Sequence, residues 1–155
     1  MKTFKEKLEE IMNVENKRRG EYDSNILEQS FIISRAFGSP TIEATHFLLA
    51  ILKVSPNSLA VQYLETIQSK EAWKKQWQER LMKANEENPL TSHSKINLGF
   101  LIRTLKTIVY EKELLKCESM NENCFLLAIL RYQDFDGLVY KDAIQFIKNK
   151  STYSA

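Results

Sequence analysis

Residues that break helices are scarce in this sequence. It has four glycines and three prolines in 155 residues. Punctuation that sparse suits a few long helices joined by short turns, not many short strands. Cysteine and histidine are scarcer still: Cys117, Cys124, His46 and His93 are the whole supply. Two cysteines exclude a disulfide scaffold and, without nearby histidines, make a poor zinc site. No metal and no cofactor is expected. Long apolar runs are missing as well. The longest uncharged ones, residues 47–52 and 125–130, are too short to span a bilayer. Neither sign of charge dominates. Twenty-two basic residues face 20 acidic ones, a net charge of +2, which leaves no strong electrostatic footprint for DNA or RNA. The opening Met-Lys-Thr-Phe-Lys-Glu-Lys-Leu-Glu-Glu carries acids and no apolar stretch. A secretory leader is therefore not expected, and a cytoplasmic location with reduced thiols is.

Catalytic signatures are missing too. Gly20, Gly38, Gly99 and Gly137 are scattered, so no phosphate-cradling Gly-x-x-x-x-Gly-Lys-Ser/Thr loop exists. Gly-x-Ser-x-Gly and His-Glu-x-x-His are also absent. The expectation is a protein that is not an enzyme. His46 opens an apolar helix and reads as a structural histidine bonded to backbone, while His93 falls in a polar linker. Cys117 and Cys124 lack Cys-x-x-Cys spacing and read as small core residues. Trp73 and Trp77 lie one helical turn apart, which predicts one buried and the other half exposed. Lys74, Lys75, Arg80 and Lys83 share a helix with Glu71 and Glu79, a mixed solvated face.

Helical periodicity fills the remainder. Residues 3–17 form an amphipathic pattern with Phe4, Leu8, Ile11 and Met12 on one face. Thr3 and Glu6 have capping-box spacing. Lys17, Arg18 and Arg19 complement a helix C-terminus before Gly20. A second helix is predicted over 24–37, ended by Gly38-Ser39-Pro40. A third covers 43–54. Ser58 caps a short helix over 59–67, and Ser69 caps a polar one reaching about residue 84. Residues 85–94 are polar, contain Pro89 and read as a linker. Leu98, Leu101, Leu105, Ile108, Val109 and Leu115 then mark a long amphipathic helix. Helices over 124–132 and 138–149 follow, separated by a turn at 134–137, with 151–155 expected to fray.

One hexapeptide occurs twice. Phe-Leu-Leu-Ala-Ile-Leu occupies 47–52 and again 125–130, 78 residues apart. At the same offset Leu27 meets Leu105 and Phe31 meets Val109. Each copy follows an amphipathic helix and a polar break. The expectation is a single all-α domain over 1–155: a pseudo-two-fold duplicated four-helix repeat with an extra N-terminal helix. Residues 1–21 form the extra helix, 22–84 the first repeat, 85–94 the linker and 95–150 the second repeat.

Over about residues 22–149 this pattern resembles the Clp N-terminal domain, the double repeat of Clp-type AAA+ unfoldases and disaggregases. The first repeat offers Ile26-Leu27-Glu28-Gln29-Ser30, Gly38, Ile42, Thr45-His46 before the hexapeptide, and Leu59-Ala60-Val61-Gln62-Tyr63-Leu64. The second offers the helix at 101–115, Asn123-Cys124 before the hexapeptide, and Gly137-Leu138-Val139. The family's acid at the helix start, which contacts the guanidinium in relatives that read phosphoarginine, is replaced by Thr45 and Asn123. Cys124 stands where the first copy has His46, and Lys116 where it has Gly38. The added N-terminal helix resembles the Clp ATPases that recycle type VI secretion sheaths, in which such a helix helps form a groove for a sheath helix.

The resemblance implies a non-catalytic module that binds a protein substrate, an adaptor or a sheath peptide for a Clp-type AAA+ motor in cis or in trans. Phe4, Leu8, Ile11, Met12, Thr45 and Asn123 are its candidate binding residues. No membrane partner is expected. The alternative of another class is a free-standing helical regulatory or nucleic-acid-binding protein, which the balanced charge opposes.

Overall fold

A computed structural model describes residues 6, 9–10, 24–91, 94–95, 97–117 and 120–154, the side chains of Ser24 and residues 152–154 excepted. Phe4, Leu8, Ile11, Met12 and His93 lie outside the described residues. Among the described residues the structure is all-helical, with seven helices and no strand. They are α1 (Ser24–Ala36), α2 (Ala44–Val54), α3 (Leu59–Glu65), α4 (Lys70–Glu87), α5 (Gly99–Leu115), α6 (Glu122–Leu130) and α7 (Tyr140–Ser154). No single described helix is long and apolar enough to cross a membrane.

Side-chain caps set three of the helix starts. The Ser58 hydroxyl accepts the Val61 amide and Ser69 accepts that of Ala72, each satisfying an N–H left without an intrahelical partner. Asn121 does the same for Asn123 and Cys124. That cap starts α6 at Glu122, two residues before the periodicity alone placed it. Other limits also differ from the sequence reading. α4 runs on to Glu87, so residues 85–87 are helical and the linker begins at Asn88. α7 begins at Tyr140 and continues to Ser154. The turn ahead of it uses Phe135 and Leu138, which exchange backbone hydrogen bonds of 3.1 and 2.8 Å and delay the helix.

The two hexapeptides form the centre of the molecule. Residues 47–52 and 125–130 are all buried, and each large side chain so placed contributes about 1.5–3 kcal/mol. α2 packs on α1 and α6 packs on α5; the two central helices also touch each other. Phe47 and Phe125, the first residues of the two copies, meet with ring centroids 5.6 Å apart. Small residues let α1 and α2 approach. Ser30 and Ser34 are buried on α1, and their hydroxyls donate to the carbonyls of Ile26 (2.7 Å) and Thr41 (2.8 Å). α3 packs against α6 and α7, and α4 against α2 and α3.

The turns after α1 and α5 share a left-handed residue. Gly38 has φ +63° and Lys116 φ +56°. Glycine enters this region freely, whereas a lysine is strained there.

Candidate functional site

An open concavity with an apolar floor lies where the ends of α1 and α2 meet the start of α4. It has a volume of about 440 Å³. Ile33 from α1, Phe37 just after it, and Leu49 and Leu52 from α2 form its floor, and Lys53, Lys70 and Lys74 its rim, with Glu71 the acid among the lining residues. The pattern of each element explains this arrangement. Ile33 and Phe37 are four apart, and the Phe37 amide donates to the Ile33 carbonyl at 3.1 Å, which carries Phe37 onto the same side as Ile33 where α1 ends. Leu49, Leu52 and Lys53 occupy i, i+3 and i+4 of α2, which carries a lysine to the edge of an apolar face. Lys70 and Lys74 repeat that spacing on α4. Lys70 Nζ approaches the Pro56 carbonyl at 3.4 Å. Among the described residues none of the three lysines forms an ion pair.

Thr45 and Asn123, the two predicted site residues among those described, fall elsewhere. Thr45 is buried and lines a smaller depression of about 210 Å³ with Glu43, Phe100, Ile129 and Gln133. Asn123 lines a different one, of about 280 Å³, beside Cys117 and Ile147. Its Oδ1 accepts the Ala60 amide at 3.0 Å, which ties the start of α3 to α6. The structure therefore does not bring Thr45 and Asn123 into one site. The sequence reading named none of the groove residues as a site; it placed Lys74 and Glu71 on a solvated face and Leu49 and Leu52 in the hexapeptide, and the lysine directly following that hexapeptide was a visible sign of an edge.

His46 is almost fully buried. Its Nδ1 accepts the Glu43 amide at 2.9 Å, so the proton sits on Nε2, 3.0 Å from the Ser39 hydroxyl. Burial pushes its pKa down to about 4, because a charged ring would lose its hydration. This is the backbone-bonded histidine that the sequence predicts. Burial, and then the neighbouring Cys117, push the Cys124 thiol up to about 12. It is a poor nucleophile. Among the described residues no group of three His, Cys, Asp or Glu side chains is placed to hold a metal ion.

Both tryptophans are buried, which corrects the expectation that one would be half exposed. They stack at 4.7 Å. The Trp73 indole N–H donates to the Leu64 carbonyl, and Trp77 donates to Asp136 Oδ2, both at 2.9 Å. Arg80 adds an ion pair of 2.8 Å to the same carboxylate. Asp136 lies in the turn before α7, so this clip holds α4 against a distant loop. An indole can be buried only where its N–H finds an acceptor, and helical spacing does not disclose an acceptor 59 residues away.

A second network links α5 to the end of α6 and the start of α7. The Glu111 side chain on α5 is completely buried. Its carboxylate accepts from Arg131 Nε and, at 2.7 Å, from the Tyr140 hydroxyl. Arg131 also donates to the Tyr140 hydroxyl at 3.0 Å and lies 5.0 Å from the centre of that ring. Burial, then the Glu111 carboxylate, push the Tyr140 phenol up to about 12.

Compared with known proteins, the chain matches no family model and is significantly similar to no curated protein.

Proposed function

We propose that this protein is a non-catalytic binding module that takes up a segment of a partner protein and presents it to a Clp-type AAA+ motor. The observation that carries this reading is the open groove of about 440 Å³. An apolar floor with a charged rim is the form in which helix bundles accept peptide side chains while remaining soluble. Ile33 and Phe37 are only partly buried there, so a partner that covers them gains apolar burial. The doubled hexapeptide and the helix order around it support the link to Clp N-terminal domains. The partner is then a substrate, an adaptor or a sheath segment, and the motor is joined in the same chain or bound separately. No bond is made or broken in this mechanism. Binding free energy comes from desolvated apolar side chains, with direction supplied by the lysines.

Calorimetry with a reduced, alkylated and permanently unfolded polypeptide tests the reading. Binding is expected to the intact chain, and Phe37→Ser is expected to weaken it about tenfold, the scale of one apolar anchor. Circular dichroism confirms that the variant keeps its helices. Equal binding by both chains would place any peptide site elsewhere.

A further inference from the structure

The two hexapeptides define a register in which positions 78 apart correspond. In that register Lys53 corresponds to Arg131, and Ile33 corresponds to Glu111. Each cation follows its hexapeptide directly. The two halves treat that cation differently. In the second half Arg131 is met by Glu111, a carboxylate whose side chain has no solvent exposure. In the first half the acid's position is held by Ile33, which lines the floor of the groove. Lys53 lines the same groove and forms no ion pair among the described residues, and Lys70 and Lys74 of α4 add two more cations to the lining.

We propose that the groove recognises an acidic apolar segment, supplying from outside the carboxylate that the second half carries within. This rests on the reading of the groove as a docking site and names the class of segment it takes. Apolar side chains of the segment cover Ile33, Phe37, Leu49 and Leu52. A glutamate or aspartate at its edge meets Lys53, within reach of the lysines of α4. Glu71 alone offsets these three cations among the lining residues, so a basic segment is disfavoured. The segment's carboxylate becomes partly desolvated beside an apolar floor, where charge-assisted hydrogen bonds exceed their value in open solvent.

Three synthetic amphipathic peptides of about 15 residues, long enough for marginal helicity, provide the test. All share one leucine face and carry glutamate, glutamine or lysine beside it. Calorimetry at low salt is expected to rank them glutamate, glutamine, lysine, with about tenfold between the first two. The double variant Lys53→Glu/Lys74→Glu, at two exposed positions, is expected to reverse the order. Ile33→Glu, which rebuilds the internal acid, is expected to weaken the glutamate peptide more than the glutamine one. Equal affinity of the glutamate and glutamine peptides would overturn the acidic preference while leaving the groove as a docking site. A glutamate preference unchanged by the double variant would overturn its assignment to the lysines of this groove. Binding of none of the three would overturn both.

Discussion

A single proton on His46 is worth a measurable share of the stability. An unfolded chain binds that proton near pH 6.5, whereas burial in the fold holds the pKa at about 4. Between these values the unfolded state takes up the proton and the folded state does not. This contribution is therefore complete above pH 6.5 and is lost as pH falls towards 4. Its upper size is about 3 kcal/mol. Urea unfolding at pH 7 and at pH 4.5 measures it. His46→Gln keeps an acceptor for the Glu43 amide and is expected to remove most of the pH slope; an unchanged slope would assign it to other groups. Lys116 makes a second test. Its left-handed φ is the one that Gly38 holds without strain, so Lys116→Gly is expected to stabilise by about 0.5–1 kcal/mol. Gly38→Ala should instead cost about 1–2 kcal/mol, since a β-carbon there would also lie 2.9 Å from Asn85 Oδ1. Thermal melts of the two variants are expected to shift in opposite directions. The role of His46 was legible from its place at the start of an apolar helix. The partners of Trp77 and Glu111 were not, because they come from elements 59 and 20 residues away.

Caps and turns decide where the elements stop. Ser58 and Ser69 could be read as caps because a hydroxyl before a helical pattern has one common use. Asn121 was hidden in a polar run, and α4 overran its expected end because no breaker precedes Asn88 and Pro89. Helices α5, α6 and α7 are joined by Glu111, Arg131 and Tyr140. Removing one member of a buried pair leaves the other uncompensated. Arg131→Leu is therefore expected to cost about 3–5 kcal/mol. The double variant Glu111→Leu/Arg131→Leu should recover most of that loss, because an apolar pair leaves no buried charge. A double-mutant cycle from denaturant unfolding checks this, and additive losses would contradict the pairing.

Contacts between distant parts tie the described helices to one another. Tyr63 exchanges hydrogen bonds with the backbone of Val139 at 3.0 and 3.3 Å. Asn123 holds the start of α3, and Asp136 holds α4 through Trp77 and Arg80. Unfolding followed by tryptophan fluorescence, which reports on α4, should coincide with loss of helix by circular dichroism. Two separate transitions would mean that the parts fold independently. At this scale the all-helical class and the central helices were plain in the sequence, since apolar periodicity is a local signal. The groove was not. It arises where the ends of α1 and α2 meet the start of α4, and no local pattern records that meeting.

Residue-level mapping shows whether a segment binds in this groove. The isotope-labelled full chain is titrated with the glutamate-bearing amphipathic peptide and followed by heteronuclear NMR. Shift changes are expected to concentrate on Ile33, Phe37, Leu49, Leu52, Lys53 and Lys74 and to leave the Trp77 indole signal in place. Changes centred on Thr45 or Asn123, or no changes at all, would contradict the account.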